Sequence, residues 1–99
     1  MSKRIFRPRR KDANQSICQQ AAEDDGWKTN DTHELGGGFP DFVASKTGIN
    51  VLVEVKRPGE ELTPEEEKFH ANWPGTIIVA YTAAGTVAQL RKARNWPAG

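Results

Sequence analysis

Apolar and polar residues alternate most clearly in the middle of the chain. Over residues 51–56 the three valines fall on one face of a strand, and Leu52, Glu54 and Lys56 fall on the other, because successive side chains of a strand point to opposite faces. One face is therefore predicted to enter the core, and the other ends in charged groups. Residues 39–43 are predicted to form a neighbouring strand, joined to the first by a turn at 46–48.

The remaining segments predict three helices and two further strands. Thr63-Pro64-Glu65-Glu66 is a strong helix start, with threonine as N-cap and a glutamate at the capping-box position. The predicted elements are a helix over 13–25, a strand with loose alternation of apolar and polar residues over 27–35, a helix over 64–72, an apolar strand over 76–81 and a last helix over 84–93. This order, αβββαβ with a closing helix, predicts an α/β fold whose mixed sheet is flanked by helices. The last strand should run parallel to its neighbour because a helix connects them.

The helices also carry predictions about which side chains face the core. Asp12 is predicted to cap the first helix, and its apolar stripe consists of Ile17 and Ala21, with Cys18 beside them. In the second helix Phe69 is predicted to face the core, and in the last helix Val87 and Leu90 are expected to pack.

Length and composition limit the class of protein. Ninety-nine residues make one domain, and 36% hydrophobic with 27% charged residues suit a small globular fold. No apolar run approaches the ~18–20 residues of a membrane span, and no apolar signal core follows the basic N-terminus. An intracellular protein without membrane contact is therefore expected. Cys18 is the single cysteine, which excludes a disulfide framework and a thiolate metal cluster.

Charge is distributed unevenly along the chain. Six of the fourteen Lys and Arg residues lie in residues 1–11, whereas residues 12–99 carry eight basic against thirteen acidic side chains, a net charge of −5. Residues 1–11 are predicted to form a basic flexible arm, 12–94 the folded domain and 95–99 a tail. Such an arm commonly contacts phosphates, although a solvated tail that aids solubility is the alternative. The arm residues predicted to contact phosphates are Arg7, Arg9, Arg10 and Lys11.

The central strands also carry candidate chemistry. A hairpin that begins near Asp41 can bring its carboxylate beside Glu54, and two adjacent carboxylates repel unless a cation lies between them. This arrangement indicates a Mg²⁺ site. Lys56 shares the face of Glu54, where it can lower the pKa of a metal-bound water or pair with a phosphate oxygen. The glycines at 36–38 either let a phosphate or metal approach the main chain or form a plain flexible turn.

This spacing resembles the PD-(D/E)-x-K nuclease signature. Together with the glycine run before Asp41 and the Leu62-Thr63-Pro64 helix start, it resembles the small stand-alone members of the virus-type replication-repair nuclease (VRR-NUC) family, over roughly residues 12–80. The resemblance implies a Mg²⁺- or Mn²⁺-dependent DNA endonuclease. Its catalytic residues would be Asp41, Glu54 and Lys56, with the backbone carbonyl of Val55 as a further metal ligand.

The match departs from the family in the first helix. A glutamate there often completes the family's site, but the corresponding position holds Asn14, with Gln15 adjacent. Either amide could contact a metal-bound water or a substrate oxygen. Glu66, where relatives often have glutamine, is expected to act as a helix cap, and His70 as a surface or interfacial group. Arg57 is predicted to hold flanking DNA backbone together with the arm.

The resemblance further implies a phage or prophage origin and a homodimer that cuts branched DNA in the manner of Holliday-junction resolvases. Three alternatives remain open. The first is a nuclease of other specificity, such as a nicking or flap-cutting repair enzyme. The second is a non-catalytic DNA-binding module, which the missing first-helix acid favours. The third is a phage regulator that binds a host protein through the acidic body of the domain.

Overall fold

A four-stranded mixed sheet with three helices makes up the computed structural model, which describes residues 12–95. The strands lie in the order β1-β2-β3-β4; β1 to β3 are antiparallel neighbours, and β4 runs parallel to β3. The α/β class, the closing helix and the parallel last strand are thus confirmed. The elements are α1 (Ala13–Asp24), β1 (Lys28–Asp31), β2 (Phe42–Lys46), β3 (Ile49–Val55), α2 (Pro64–Asn72), β4 (Thr76–Ala80) and α3 (Ala83–Arg94).

The limits of β1 and β2 differ most from the predicted ones. β1 ends at Asp31 instead of continuing to residue 35, because the chain turns there: the Leu35 N–H donates to the Thr32 carbonyl at 3.0 Å. β2 begins at Phe42 instead of residue 39, although the Asp41 N–H already donates to the Val53 carbonyl at 2.9 Å. The turn predicted between β2 and β3 is present, with Thr47 and Gly48 at positive φ.

The main core lies between one face of the sheet and the helices α1 and α3. Val51 and Val53 are fully buried there, as are Phe42 and Leu90, and the indole of Trp27 closes the cluster. Because side chains alternate along β3, the opposite face of the same strand carries Leu52 and the charged residues. The predicted division of β3 into a core face and a chemical face therefore holds.

The predicted apolar stripe of α1 is wrong in part. Ile17 is 54% exposed, whereas Gln15, Cys18, Gln19 and Ala22 form the buried face. The buried amides have polar partners, since Gln19 Nε2 donates to Thr29 Oγ1 at 3.0 Å. Burial of a polar group is tolerated when its hydrogen bonds are satisfied, so α1 packs through amides where a stripe of apolar residues was expected.

The start of α2 follows the predicted capping box. Thr63 Oγ1 accepts from the Glu66 N–H at 3.2 Å, and Glu66 Oε1 accepts from the Thr63 N–H at 2.9 Å. The helix buries none of its residues fully. Phe69 was predicted to face the core, but it does not enter the main core. It is half-buried in an aromatic cluster with Phe39 and Trp73.

The glycine run before Asp41 packs tightly against α2. Gly36, Gly37 and Gly38 have φ values of 71°, 64° and 84°, in the region that favours glycine. A Cβ on Gly38 would lie 2.4 Å from the carbonyl oxygen of Glu65, whereas a Cβ on Gly37 would meet nothing within 4 Å. Gly38 thus makes a close structural contact with α2, which a plain flexible turn would not need, and the approach of a phosphate or metal to this run stays a prediction.

Gly38→Ala is expected to lower the free energy of unfolding by about 2–4 kcal/mol, since it adds a backbone clash to the cost of a positive φ. Gly37→Ala is the matched control, because it carries the same conformational cost of about 1–2 kcal/mol without the clash. Urea denaturation of both variants measures the difference. Equal losses of stability would mean that the approach to Glu65 has no energetic role.

Side-chain contacts join α3 to α1 and to β4. Arg91 on α3 makes a two-pronged ion pair with Asp25, the C-cap of α1. Gln89 on α3 donates from Nε2 to the carbonyl of Val79 in β4 at 2.6 Å.

Within residues 12–95, none of the helices is long and apolar enough to cross a membrane.

Candidate active site

The site is built on the hairpin formed by β2 and β3. The register pairs Phe42 with Val53, so the next position places Asp41 opposite Glu54. Asp41 is held by its backbone bond to Val53 and by its Oδ2, which accepts from the Val55 N–H at 2.8 Å. A hydrogen bond joins the carboxyl groups of Asp41 and Glu54, and Glu54 is only 2% exposed. The predicted carboxylate pair is therefore formed.

Burial and mutual repulsion keep this pair from ionising fully. Burial, together with the negative charge of Asp41, raises the pKa of Glu54 to about 9. Burial also raises the pKa of Asp41, although the hydrogen bond from the Val55 N–H opposes that rise. At neutral pH the pair retains a proton between two acids, and a bound cation would displace it.

Lys56 lies on the same face and is 6% exposed. Its Nζ is 2.7 Å from Glu66 Oε1 and 3.6 Å from Glu60 Oε2. Burial disfavours its charge, but the hydrogen bond and charge of Glu66 outweigh this effect and raise the pKa of Lys56. The lysine is a fixed cation, and one end of α2 holds it beside the carboxylate pair.

Two residues of α2 contact the predicted site, although the sequence had not identified them as site residues. Glu66 was expected only as a helix cap, yet its Oε1 serves both the capping box and Lys56. His70 was expected at the surface or an interface, yet it is half-buried with Nε2 3.4 Å from Glu54 Oε1, and burial lowers its pKa. Their spacing of four residues places both on one helix face, and that signal could have identified them.

Asn14 and Gln15 contact the backbone at the ends of the site strands. Asn14 Nδ2 donates to the carbonyls of Lys56 and Tyr81, each at 3.1 Å. Gln15 Nε2 donates to the Asp41 carbonyl at 3.3 Å. The amides thus fix the main chain on both sides of the carboxylate pair. Contact between their carbonyl oxygens and a water or substrate stays a prediction.

The residues predicted to contact DNA fall into two groups. Arg57 follows Lys56 directly, is 71% exposed, and has Nη2 3.5 Å from Asp12 Oδ2. Such an exposed ion pair contributes little to stability, so the guanidinium is accessible at the rim of the site. The four arm residues Arg7, Arg9, Arg10 and Lys11 lie outside the described residues, as do residues 96–99 of the predicted tail.

The donor set at the site matches a hard divalent cation. Mg²⁺ binds oxygen and is commonly held by one or two carboxylates while it keeps several waters. Asp41 and Glu54 supply two carboxylates that share a proton, and Val55 lies at the end of β3 with its carbonyl as a further candidate ligand. No group of three or more His, Cys, Asp or Glu side chains that could hold a metal occurs within residues 12–95. The ion would therefore rely on the carboxylate pair, the main chain and water.

Comparison with known proteins gives no further assignment. No protein-family model matches the chain, and a search of curated proteins gives no significant match.

Proposed function

We propose that the chain is a Mg²⁺- or Mn²⁺-dependent DNA endonuclease with a PD-(D/E)-x-K core of the VRR-NUC type. The observation that carries the proposal is the hydrogen-bonded pair of half-buried Asp41 and buried Glu54, with the buried Lys56 ammonium on the same face of the sheet. Burying Glu54 and Lys56 beside a third ionisable group is costly for a small domain. Such a cost in stability is typical of functional sites, and a site that binds a cation and a phosphate accounts for it.

Each residue of the site has a role in phosphodiester hydrolysis. Asp41 and Glu54, with the Val55 carbonyl, hold the divalent ion, which when bound polarises the scissile phosphate and lowers the pKa of water. Lys56 offsets the negative charge that develops on the phosphate in the transition state. Glu66 fixes the Lys56 ammonium in place, and His70, with Nε2 3.4 Å from Glu54 Oε1, orients the carboxyl group of Glu54.

The substrate is proposed to be branched DNA, cut according to its structure instead of its sequence. Acidic residues outnumber basic ones in residues 12–95, so the domain body repels DNA, and the arm together with Arg57 must supply the attraction to phosphates. Backbone contacts of this kind position DNA without reading bases. A homodimer with two-fold symmetry would present two sites to two strands.

A non-catalytic DNA-binding module is the second candidate. Asn14 occupies the place of the expected first-helix acid, and its Nδ2 is committed to the backbone carbonyls of Lys56 and Tyr81. That position therefore supplies no third carboxylate. A binding module keeps its affinity for DNA when Asp41 is replaced, whereas an enzyme loses turnover.

Cleavage of labelled four-way junction, flap and linear duplex DNA tests the proposal. Wild type is compared with Asp41→Asn and Lys56→Ala in Mg²⁺, Mn²⁺ or EDTA, with Lys92→Ala on the exposed surface of α3 as a control. The expected result is metal-dependent cutting that both site variants lose and the control retains. DNA binding without cutting, unchanged in every variant, supports the binding module instead.

A further inference from the structure

An aromatic cluster outside the main core flanks the proposed site. The rings of Phe69 and Trp73 are stacked, with centroids 5.2 Å apart and planes at 19°. Phe39 meets both of them edge-on, at 5.0 Å and 6.2 Å. Trp73 remains 39% exposed. A large aromatic ring is thus held rigidly with part of its surface open to solvent.

Both chain segments of this cluster lead directly to the carboxylate pair. Phe39 lies two positions before Asp41. On α2, Phe69 precedes His70, whose Nε2 is 3.4 Å from Glu54. Two residues of extended chain span at most about 7 Å, so the cluster and the carboxylate pair can contact neighbouring parts of one substrate.

A cavity of about 420 Å³ opens on this cluster. Its lining includes Trp73 and Phe69 from the cluster, Gly37 from the glycine run, and the charged residues Glu65 and Lys68. The volume lies within the ~300–1,000 Å³ typical of small-ligand sites. Because the two charges are opposite in sign, the cavity favours a flat uncharged ring over a phosphate.

Gly75 helps to position the exposed ring. A Cβ at this position would lie 2.8 Å from Trp73 Nε1, so the absence of a side chain lets the indole lie against the main chain. Stacking on Phe69 from another side reduces the freedom of the indole further. A ring that is already ordered loses little entropy when a ligand stacks on it.

We propose that this cavity binds one unpaired nucleobase of the DNA strand held at the carboxylate pair, with the base stacked on Trp73. The proposal rests on the proposed function, which makes DNA the molecule at the carboxylate pair. A paired base is already stacked within its duplex and cannot enter. The nucleotide beside the cut must therefore be unpaired, which specifies the substrate as DNA with a flap, gap or open branch point.

The test measures binding separately from cleavage. Fluorescence anisotropy in EDTA gives the affinity of the full chain for a duplex with a short thymine flap, and for the same duplex with an abasic flap that keeps every phosphate. Trp73→Ala removes the ring and Trp73→Phe keeps an aromatic surface. Ile17→Ala removes exposed apolar surface from α1, on the other side of the sheet, and is the matched control.

The expected result is a loss of about 5- to 100-fold in affinity for the thymine flap in Trp73→Ala, the range for one stacked base. Trp73→Phe should lose about three-fold or less in affinity for the thymine flap, and Ile17→Ala should bind it as tightly as wild type does. Wild type should bind the abasic flap as weakly as Trp73→Ala binds the thymine flap. Affinity for the abasic flap should be the same in wild type and in Trp73→Ala.

Several results would overturn the inference. One is wild-type affinity that is equal for thymine and abasic flaps, a comparison that needs no variant to fold. Another is Trp73→Ala weakening both flaps equally, or abolishing self-association of the protein, which would assign the surface to a second copy. Metal-dependent cutting with no sensitivity to the flap bases refutes this inference alone. Base-dependent binding without cutting refutes only the catalytic proposal.

Discussion

Glu54→Gln is expected to make the metal-free protein more stable at alkaline pH while it abolishes metal-dependent cleavage. In the folded protein the pKa of Glu54 is raised from 4.5 to about 9, because the carboxyl group is buried beside Asp41. The folded state therefore holds a proton that the unfolded state releases. Glutamine cannot ionise, and its amide can still donate to the Asp41 carboxylate, so the variant avoids the cost of ionising this position.

The sign of the pH dependence follows from this difference in pKa. The contribution of Glu54 to stability is fully present below pH 4.5 and is lost as the pH rises through 9. The free energy of unfolding should fall by up to about 1.4 kcal/mol per pH unit, or about 4 kcal/mol between about pH 5 and pH 8. The charged groups that face Glu54 are Asp41 directly before β2, Lys56 directly after β3 and Glu66 from α2. The lowered pKa of His70 affects the free energy of unfolding only as the pH becomes acidic, and it does so in both wild type and Glu54→Gln.

Urea denaturation in EDTA at several pH values measures this effect. Wild type and Glu54→Gln should have similar stability near pH 5 and diverge as the pH rises. Glu61→Gln, at an exposed position, should follow wild type. A variant whose stability keeps the wild-type slope with pH contradicts the assignment of the proton to the Asp41–Glu54 pair.

Metal binding should reverse the order of stability. Under the proposed function Mg²⁺ binds the carboxylate pair of the folded state alone, so it should stabilise wild type increasingly as its concentration rises, and Glu54→Gln should respond little. Cleavage should fall on the order of 10³-fold or more in the variant, because it loses a proposed metal ligand that would support several kcal/mol of transition-state stabilisation. Stabilisation of both proteins by Mg²⁺ to the same extent would place the ion elsewhere.

Glu66→Ala is expected to lower both stability and activity. The substitution removes the capping-box acceptor for the Thr63 N–H and the 2.7 Å partner of the buried Lys56 ammonium. Together these losses should cost about 2–3 kcal/mol in the free energy of unfolding. Cleavage should fall by about 10- to 100-fold, as is typical when a group that orients a site residue is lost.

Two further variants separate the roles of Glu66. Glu66→Gln keeps the capping box and a neutral hydrogen bond to Lys56, so it should retain most of the stability and cleave within about ten-fold of wild type. Thr63→Ala removes only the cap and should cost about 1 kcal/mol with little change in cleavage. Chemical denaturation and cleavage rates give both quantities. If Glu66→Ala behaves like Thr63→Ala in both assays, the contact with Lys56 has no role in the site.

The candidate site could be found from the sequence because its residues lie on one hairpin. Alternation along a strand places Glu54 and Lys56 on one face regardless of the rest of the fold. A short turn then brings Asp41 opposite Glu54, and the register of β2 with β3 has this alignment. Local geometry of this kind depends on backbone period and turn length, and both can be seen in the sequence.

Contacts between distant segments could not be predicted in the same way. Gln15 and Gln19 are buried on α1 because Asp41, Asp31 and Thr29 supply hydrogen-bond partners, and residue type alone predicts exposure. The position of His70 against Glu54 depends on how α2 packs across the sheet. The separation of Phe39, Phe69 and Trp73 from the main core likewise depends on the path of the glycine run past α2.

The hydrogen bond from Gln89 to Val79 has a consequence for how copies of this protein can associate. The Ala80 carbonyl accepts from the Lys56 N–H on β3, so the adjacent Val79 carbonyl points away from β3, towards the outer side of the sheet. Gln89 occupies that acceptor at 2.6 Å. An outer strand with a filled acceptor is a poor template for the strand of another molecule. Pairing of β4 with a strand of another molecule is therefore disfavoured at Val79, where a side chain of α3 already takes the place of that strand.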